Sequence, residues 1–508
     1  MSFLEKLASI NDSVNSFVWV QIGLVLLLGT GVLMTILLKF FQVSHLGHWW
    51  KKTIGGLFNK ESHKKEDRGS VSQFQALCTA LAATIGTGNI AGVAAAIVAG
   101  GPGAVFWMWV AAFFGMMTNF SENVLGIYYR RKNKEGEWSG GPMYYLRDGL
   151  GKAVGYEHVG KVLAVLFSLF AIFASFGIGN MGQINKIAIN LQSAFFSNKT
   201  AIAFGNVTWV NLIIGVVLMV VGALIILGGL QRIAAVAEKV VPFMAVIYVL
   251  GALIICCVHI TAVPAMITSI FKYAFGVRAI AGGAAGIAIK TVITQGCKRG
   301  VFSNEAGLGS SVMVHSNSNV KEPVKQGLWG IFEVFADTFV VCTMTAIVVL
   351  SSGAIDLKTG LAAEGTNDAT LVATAFGQVF GKPGEWFVAI AILLFAFTTV
   401  LGWSHYGSKA VEYIFGVTGR NVYRVIFVLM IVSGSMMTSS IAWDISDTAN
   451  GLMLIPNLIG VIALSPVVVK ITRNYIDRKI KGKDVEPVLS YDPEIQAEAA
   501  EAVKNGEE

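Results

Sequence analysis

Two short stretches of this sequence carry residue types suited to holding an ion and a polar ligand through oxygen and amide groups. Residues 82 to 92 read AATIGTGNIAG, in which Gly86 and Gly88 flank Thr87 and Asn89 follows at once. Residues 301 to 310 read VFSNEAGLGS, in which Phe302, Ser303 and Asn304 precede Gly307 and Gly309. Both lie within long apolar runs. A glycine inside a helix costs about 1 kcal/mol relative to alanine, so these stretches favour unwinding. Unwinding frees backbone N–H and C=O groups, which hydrocarbon tolerates only where protein, ion or ligand satisfies them. The N-terminus of a half-helix then attracts an anionic group, and freed carbonyls attract a cation.

The second stretch echoes the first. Asn89-Ile90-Ala91-Gly92-Val93 corresponds to Asn304-Glu305-Ala306-Gly307-Leu308. The copies lie in the second and seventh apolar spans, and an odd offset of five puts them in opposite orientation, as in an inverted repeat of five helices plus five with one extra helix in front. Glycine-interrupted helices at matching places in two halves point to a binding site at the membrane midplane. Either copy alone would also suit close helix packing through small residues. Two copies, with Thr84, Thr87 and Ser303 as hydroxyl neighbours, favour the site.

Other polar residues leave more than one reading open. Thr398 and Thr399 end the apolar run AIAILLFAF; their hydroxyls suit either a bond back to their own helix or an alkali cation, which takes hard oxygen ligands. Phe173, Phe176, Asn180 and Gln183 recur at spacings of three and four and share a helix face, with Phe176 expected to line the pocket. Lys298, Arg299 and Glu305 flank the second stretch, where a local ion pair or snorkelling would satisfy them. Glu122, Glu333, Asp337, Asp444 and Asp447 also fall within spans, where charge is costly. They read as interhelical partners before proton carriers.

The elements that must position these residues are membrane helices. The chain has 508 residues, 54% hydrophobic and only 14% charged, with a mean hydropathy of +0.65, which places it among polytopic membrane proteins. About eleven spans are expected, at residues 17–41, 72–99, 103–129, 160–192, 209–229, 233–258, 279–316, 324–352, 384–406, 421–439 and 442–469. Four regions follow: an extra helix and basic loop over 1–70, a first repeat over 71–260, a second over 261–473, and a polar tail over 474–508, expected to be mobile. With the N-terminus outside, 27 of the 38 Lys and Arg fall on the cytoplasmic side and 6 on the other, which sets the orientation of a multi-pass cell-membrane protein with a cytoplasmic C-terminus. That distribution accounts for the net charge of +7 without nucleic acid as a partner. The 5 cysteines lack the spacing of a disulfide framework or zinc site. An intramembrane enzyme is disfavoured by the lack of HExxH or GxSxG motifs, and His259, His315 and His405 are scattered. A passive pore would favour one continuous polar path over two broken helices.

Residues 100 to 115, GGPGAVFWMWVAAFFG, resemble the signature of the alanine or glycine:cation symporters, the sodium:alanine symporter family, which shares the leucine-transporter fold. ATIGTGNIAGV, KRGVFSNEAGLGS and TTVLGWSHYG resemble further segments of that family, and the likeness spans about residues 17 to 470. It implies an all-α transporter, not an enzyme, that carries a small neutral amino acid down a sodium gradient without a prosthetic cofactor; proton coupling is the alternative. It further implies that carbonyls near Ala82 and Ile85, the Phe395 carbonyl, and the Thr398 and Thr399 hydroxyls face sodium. Thr87, Gly88 and Asn89 would meet the substrate carboxylate, with Phe302, Ser303 and Asn304 on the other side. Phe176, Gln183 and Trp403 complete the expected pocket, Trp403 obstructing larger side chains.

Overall fold

The computed structural model describes residues 3–56, 69–198, 201–204, 207–275, 289–363, 365–366, 368–437 and 441–505. The opening of the seventh expected span, 279–288, and residues 57–68 of the first basic loop lie outside the described residues. In chain order the helices are α1 (Ala8–Leu37), α2 (Leu46–Thr53), α3 (Gln73–Thr84) and α4 (Gly88–Gly100), α5 (Gly103–Tyr128), α6 (Glu157–Phe195), α7 (Trp209–Ile226), α8 (Gly229–Val258) and α9 (Val263–Ala274). They continue with α10 (Ile289–Asn304), α11 (Val312–His315), α12 (Pro323–Ser351), α13 (Asp368–Phe380), α14 (Lys382–Ser435), α15 (Ile441–Ala463), α16 (Ser465–Tyr475) and α17 (Pro493–Lys504). The antiparallel hairpin β1 (Arg131–Lys132) and β2 (Trp138–Ser139) follows α5.

Among the described residues, eight helices are long and apolar enough to cross a membrane, and the bent pair α3 and α4 makes a ninth span. Two expected spans, 384–406 and 421–439, fall on one 54-residue helix, α14, which turns at Gly416 (φ 72°, ψ −171°). Only glycine adopts such a conformation without strain. The final expected span, 442–469, divides into α15 and α16 at Leu464. The first starts earlier than its apolar run, because residues 3–16 are already helical.

Helix α3 lies at the centre of the bundle. Its Ala80 and Ala83 belong to one apolar core, and Leu81, Ala82 and Ile85 to another, so it is buried on opposite faces. A capping box starts it: Ser72 Oγ accepts the Gln75 N–H at 3.1 Å while Gln75 Oε1 accepts the Ser72 N–H at 3.3 Å, satisfying two donors that a helix start leaves open. Its alanines allow α14 to cross closely. A Cβ built on Gly402 would lie 2.6 Å from Ala83 Cβ and 2.9 Å from its Cα. Helices α7 and α8 form a rim whose Leu224, Phe243 and Leu250 are exposed, as lipid-facing side chains should be.

The tail departs from its expected mobility. Asp492 caps α17, Gln496 Oε1 accepts the Leu489 and Ser490 N–H groups at 2.7 and 2.9 Å, and the Tyr491 N–H reaches the Tyr128 carbonyl at 2.9 Å. Ala499 and Ala502 are buried. Polarity misleads here because the acidic side chains occupy the outer face of a helix whose alanine face is docked.

Candidate functional site

The first glycine-rich stretch unwinds. Ile85 leaves the helical region (φ −76°, ψ 88°), and α3 and α4 meet at 52° across residues 85 to 87. Side chains capture the freed groups. Asn89 Oδ1 accepts the Gly86 N–H at 2.9 Å, and Gln183 Oε1 accepts the Thr87 hydroxyl at 3.0 Å and the Thr87 N–H at 3.4 Å. Gln183 Nε2 donates to the Ile178 carbonyl at 3.2 Å, which fixes the direction of its amide.

The second stretch breaks with more backbone strain. Glu305 adopts a left-handed conformation (φ 56°), followed by Gly307 (φ 92°) and Gly309 (φ 74°). A left-handed non-glycine residue is uncommon, and such strain concentrates at ligand clamps and active sites. Asn304 Oδ1 accepts the Ala306 N–H at 3.0 Å while its Nδ2 donates to Thr338 Oγ1 at 3.0 Å. Asn457 Nδ2 donates to the Gly307 carbonyl at 2.8 Å and to Glu122, and its Oδ1 accepts the Tyr145 hydroxyl.

The two breaks meet at Asp337. Asn89 Nδ2 donates to its Oδ2 at 2.6 Å, Ser303 Oγ to its Oδ1 at 2.8 Å, and Thr338 Oγ1 to its Oδ1 at 3.1 Å. The contact is also steric: a Cβ on Gly88 would lie 3.2 Å from Phe302 Cδ1 and 3.4 Å from Ser303 Cα. Asn89, Ser303, Asn304 and Asp337 are fully buried. Asn89 and Asp337 lie on π-helical segments, Gly88–Gly92 and Phe335–Cys342, and Gln183 follows a third, Gly177–Met181. Such segments are rare and frequent at functional sites.

Hydroxyl and carbonyl oxygens gather on the other side of the first break. Thr399 Oγ1 donates to the Phe395 carbonyl at 2.9 Å, and Thr398 Oγ1 to the Leu394 and Phe395 carbonyls at 2.9 and 3.0 Å. The bond-back to their own helix is therefore formed in this conformation. Thr399 nevertheless abuts the unwound backbone, since a Cβ on Gly86 would lie 2.5 Å from its Oγ1. Ala82 and Ile85 are buried in the same region. Among the described residues no cluster of three His, Cys, Asp or Glu suits a metal ion.

The expected pocket walls each have their own aromatic neighbours. Trp403 is buried, with its Cβ 2.5 Å from the position a Cβ on Gly179 would take and its ring 5.4 Å from that of Tyr406; it does not face lipid. Phe176 packs on Tyr423 and Phe427 at 5.2 and 5.9 Å, beside Asn180, whose Nδ2 donates to the Phe427 carbonyl at 2.7 Å. Phe173 is 61% exposed. The shared face of residues 173 to 183 is split by the intervening π-helical turn, which rotates Gln183 toward Thr87.

Lys298 lacks the local partner expected of it. It pairs with Asp447 of α15 at 2.7 Å, where Asn15 also donates to that carboxylate at 2.9 Å. Glu305 instead accepts the Ser310 hydroxyl at 2.5 Å. At the far end of the helices, Arg420 joins Glu135, Glu137 and Glu412 at 2.6 to 2.9 Å. Arg130 stacks 4.0 Å over Trp138 and donates to the carbonyls of Ser316, Ser318 and Val320. That pins the loop after the second break to the hairpin. Asp337 itself had a sequence signal, being an acid in an apolar span four residues after Glu333, but none that paired it with Asn89, 248 residues away.

Comparison with known proteins matches residues 4–489 to the sodium:alanine symporter family. The sodium/alanine symporter AgcS of Methanococcus maripaludis is 44% identical over 478 residues, covering 94% of this chain and 99% of that protein. The probable sodium/glutamine symporter GlnT of Bacillus subtilis is 37% identical over 485 residues, covering 94% and 92%. The crystal structure of MhsT in complex with L-phenylalanine aligns with a TM-score of 0.53 and 14% identity over 80% of this chain and 99% of that one. At that identity the likeness bears on fold alone, and it agrees with the leucine-transporter architecture.

Proposed function

The chain belongs to the sodium:alanine symporter family, and from that premise we propose that it carries a small neutral amino acid, alanine or glycine, coupled to sodium by alternating access. It is a multi-pass membrane transporter, not an enzyme. The observation that carries the proposal is the meeting of two broken helices at one buried carboxylate, with Asn89 and Ser303 bound to opposite oxygens of Asp337.

In this reading the backbone of Thr87 and Gly88, at the start of α4, receives the substrate carboxylate. The favourable end of the helix dipole and N–H groups without intrahelical partners lie there. Phe302, Ser303 and Asn304 form the facing wall, Gln183 and Asn89 hold the unwound backbone open, and Trp403 limits side-chain size. Phe176 serves behind this wall through Tyr423 and Phe427. Sodium lies between α3 and α14, held by the carbonyls of Ala82, Ile85 and Phe395 and the hydroxyls of Thr398 and Thr399. Rotation of the two hydroxyls away from Phe395 would free that carbonyl for the ion. Residues 71–260 and 261–473 act as the two inverted repeats, with the N-terminus outside and the C-terminus cytoplasmic.

Proton coupling is the second reading, favoured by the buried carboxylate of Asp337. The two separate in purified protein reconstituted into liposomes, with sodium and pH gradients imposed one at a time. Alanine accumulation under the sodium gradient alone supports the proposal. Accumulation that needs the proton gradient and ignores sodium overturns it in favour of the second reading.

A further inference from the structure

A groove of about 460 Å³ runs between α3, α8 and α12 and is lined entirely by apolar residues. Its floor is buried, with Cys78, Ile85 and Val341 at 1 to 2% exposure, while Trp50, Val246 and Leu250 on its rim are 42 to 57% exposed. The groove is therefore open sideways to the bilayer and ends at Ile85, the residue where α3 stops being helical. Its lining residue Ile85 is also the one whose carbonyl is proposed to face sodium.

Basic residues stand at its other end. Helix α2 contributes Trp50 to the lining, and the next two residues, Lys51 and Lys52, are exposed in the last turn of that helix. The Trp50 ring meets Phe335, another lining residue, edge-on at 5.8 Å, which holds α2 against the groove. On the third wall Lys239 is exposed two residues before Val241, and Glu238 lies near Cys78. Lys51 and Lys52 thus directly follow one lining residue, and Lys239 lies two residues before another.

We infer that this groove is a binding site for an anionic phospholipid, with an acyl chain lying against Leu81 and Ile85 and the phosphate at Lys51 and Lys52. Tryptophan at the boundary is suited to that depth, with its ring among the headgroups. Two features distinguish it from ordinary lipid contact. The floor is a half-helix bordering the transport site, and the charge at the mouth selects the headgroup. Because the chain packs on Ile85, its occupancy favours the arrangement in which α3 rests close to α8 and α12. The half-helix must part from that wall if it is to swing outward during transport.

Each lysine beside an anionic headgroup contributes about fivefold in affinity. The test uses the full chain in nanodiscs of phosphatidylcholine with 20% phosphatidylglycerol, extracted into detergent, with co-purifying lipids counted by native mass spectrometry. Wild type is expected to retain about one phosphatidylglycerol in preference to phosphatidylcholine. The double variant Lys51→Gln, Lys52→Gln should lose most of that preference, by about tenfold or more. Ala245→Trp, which fills the groove from the lining of α8, should lose retention of either lipid. Alanine binding measured on the same samples serves as the control for folding. Retention of phosphatidylglycerol unchanged in both variants, or no headgroup preference in wild type, overturns the inference whatever the fate of the transport proposal.

Discussion

Asn89→Ala removes the residue that ties the first break to the second, and its cost follows from the bonds it makes. Asn89 Oδ1 is the acceptor for the buried Gly86 N–H, and its Nδ2 donates to Asp337 at 2.6 Å. Leaving one buried N–H unpaired costs about 1 to 3 kcal/mol, and a hydrogen bond to a charged group contributes about 1.5 to 3 kcal/mol. Asp337 keeps Ser303 and Thr338 as donors, so the lower ends apply, about 2.5 kcal/mol in all. The penalty falls on the arrangement that holds both breaks in place. Without a ligand, the unwound segment has room to relax; with one, it must be formed. Alanine affinity should therefore fall by about 60-fold, since each 1.4 kcal/mol is tenfold, while the detergent-purified protein stays monodisperse. The assay is equilibrium binding of radiolabelled alanine in saturating sodium, beside a thermal unfolding curve. A dissociation constant within about threefold of wild type would refute the reasoning, because both orphaned groups would then have found other partners at no cost.

Asp337→Asn is expected to preserve the hydrogen-bond count, since its carbonyl can face Asn89 and the hydroxyls of Ser303 and Thr338 can accept from its amide. Charge alone is lost, so Tm should change little while alanine binding weakens by about tenfold or more, the order expected for a buried charge-assisted bond; unchanged binding would make the carboxylate merely structural. Thr398→Ala and Thr399→Ala should each raise the sodium concentration for half-maximal uptake more than they change the maximal rate, and unaltered sodium dependence in both would remove α14 from the ion site. Trp403→Phe should admit longer aliphatic amino acids as competitors of alanine, whereas Phe176→Leu, behind the wall on Tyr423 and Phe427, should leave the competition profile unchanged. The reverse pattern would place the size filter on Phe176.

The breaks themselves were legible because glycine, asparagine and hydroxyl side chains in an apolar run conflict with a helix on any membrane reading. Gly86, Asn89, Ser303 and Asn304 stand at the breaks as expected, and Gln183 reaches the unwound backbone. What sequence could not supply was the third dimension between distant helices. Asp337 looked like any other intramembrane acid until Asn89 and Ser303 were brought to it. For Lys298 a local ion pair and snorkelling both fit the sequence, yet Glu305 lies about two helical turns further along and α15 offers Asp447 instead. The face shared by Phe173, Phe176 and Gln183 assumed an unbroken α-helix. A π-helical turn lies between Phe176 and Gln183 and shifts the register there. The tail failed for a related reason: composition reports the exposed face of α17, while Ala499 and Ala502 on the other face dock.

If one site between two broken helices binds substrate and coupling ion together, each must be able to drive the other. Reciprocity follows from linked binding. The direct measurement is uptake of radioactive sodium into liposomes containing the purified protein, with no sodium gradient, the membrane potential clamped at zero, and alanine added outside only. Inward sodium flux that rises with the alanine gradient and disappears in Asn89→Ala is the result this account expects. Sodium flux indifferent to alanine, in liposomes that still take up alanine, would contradict it.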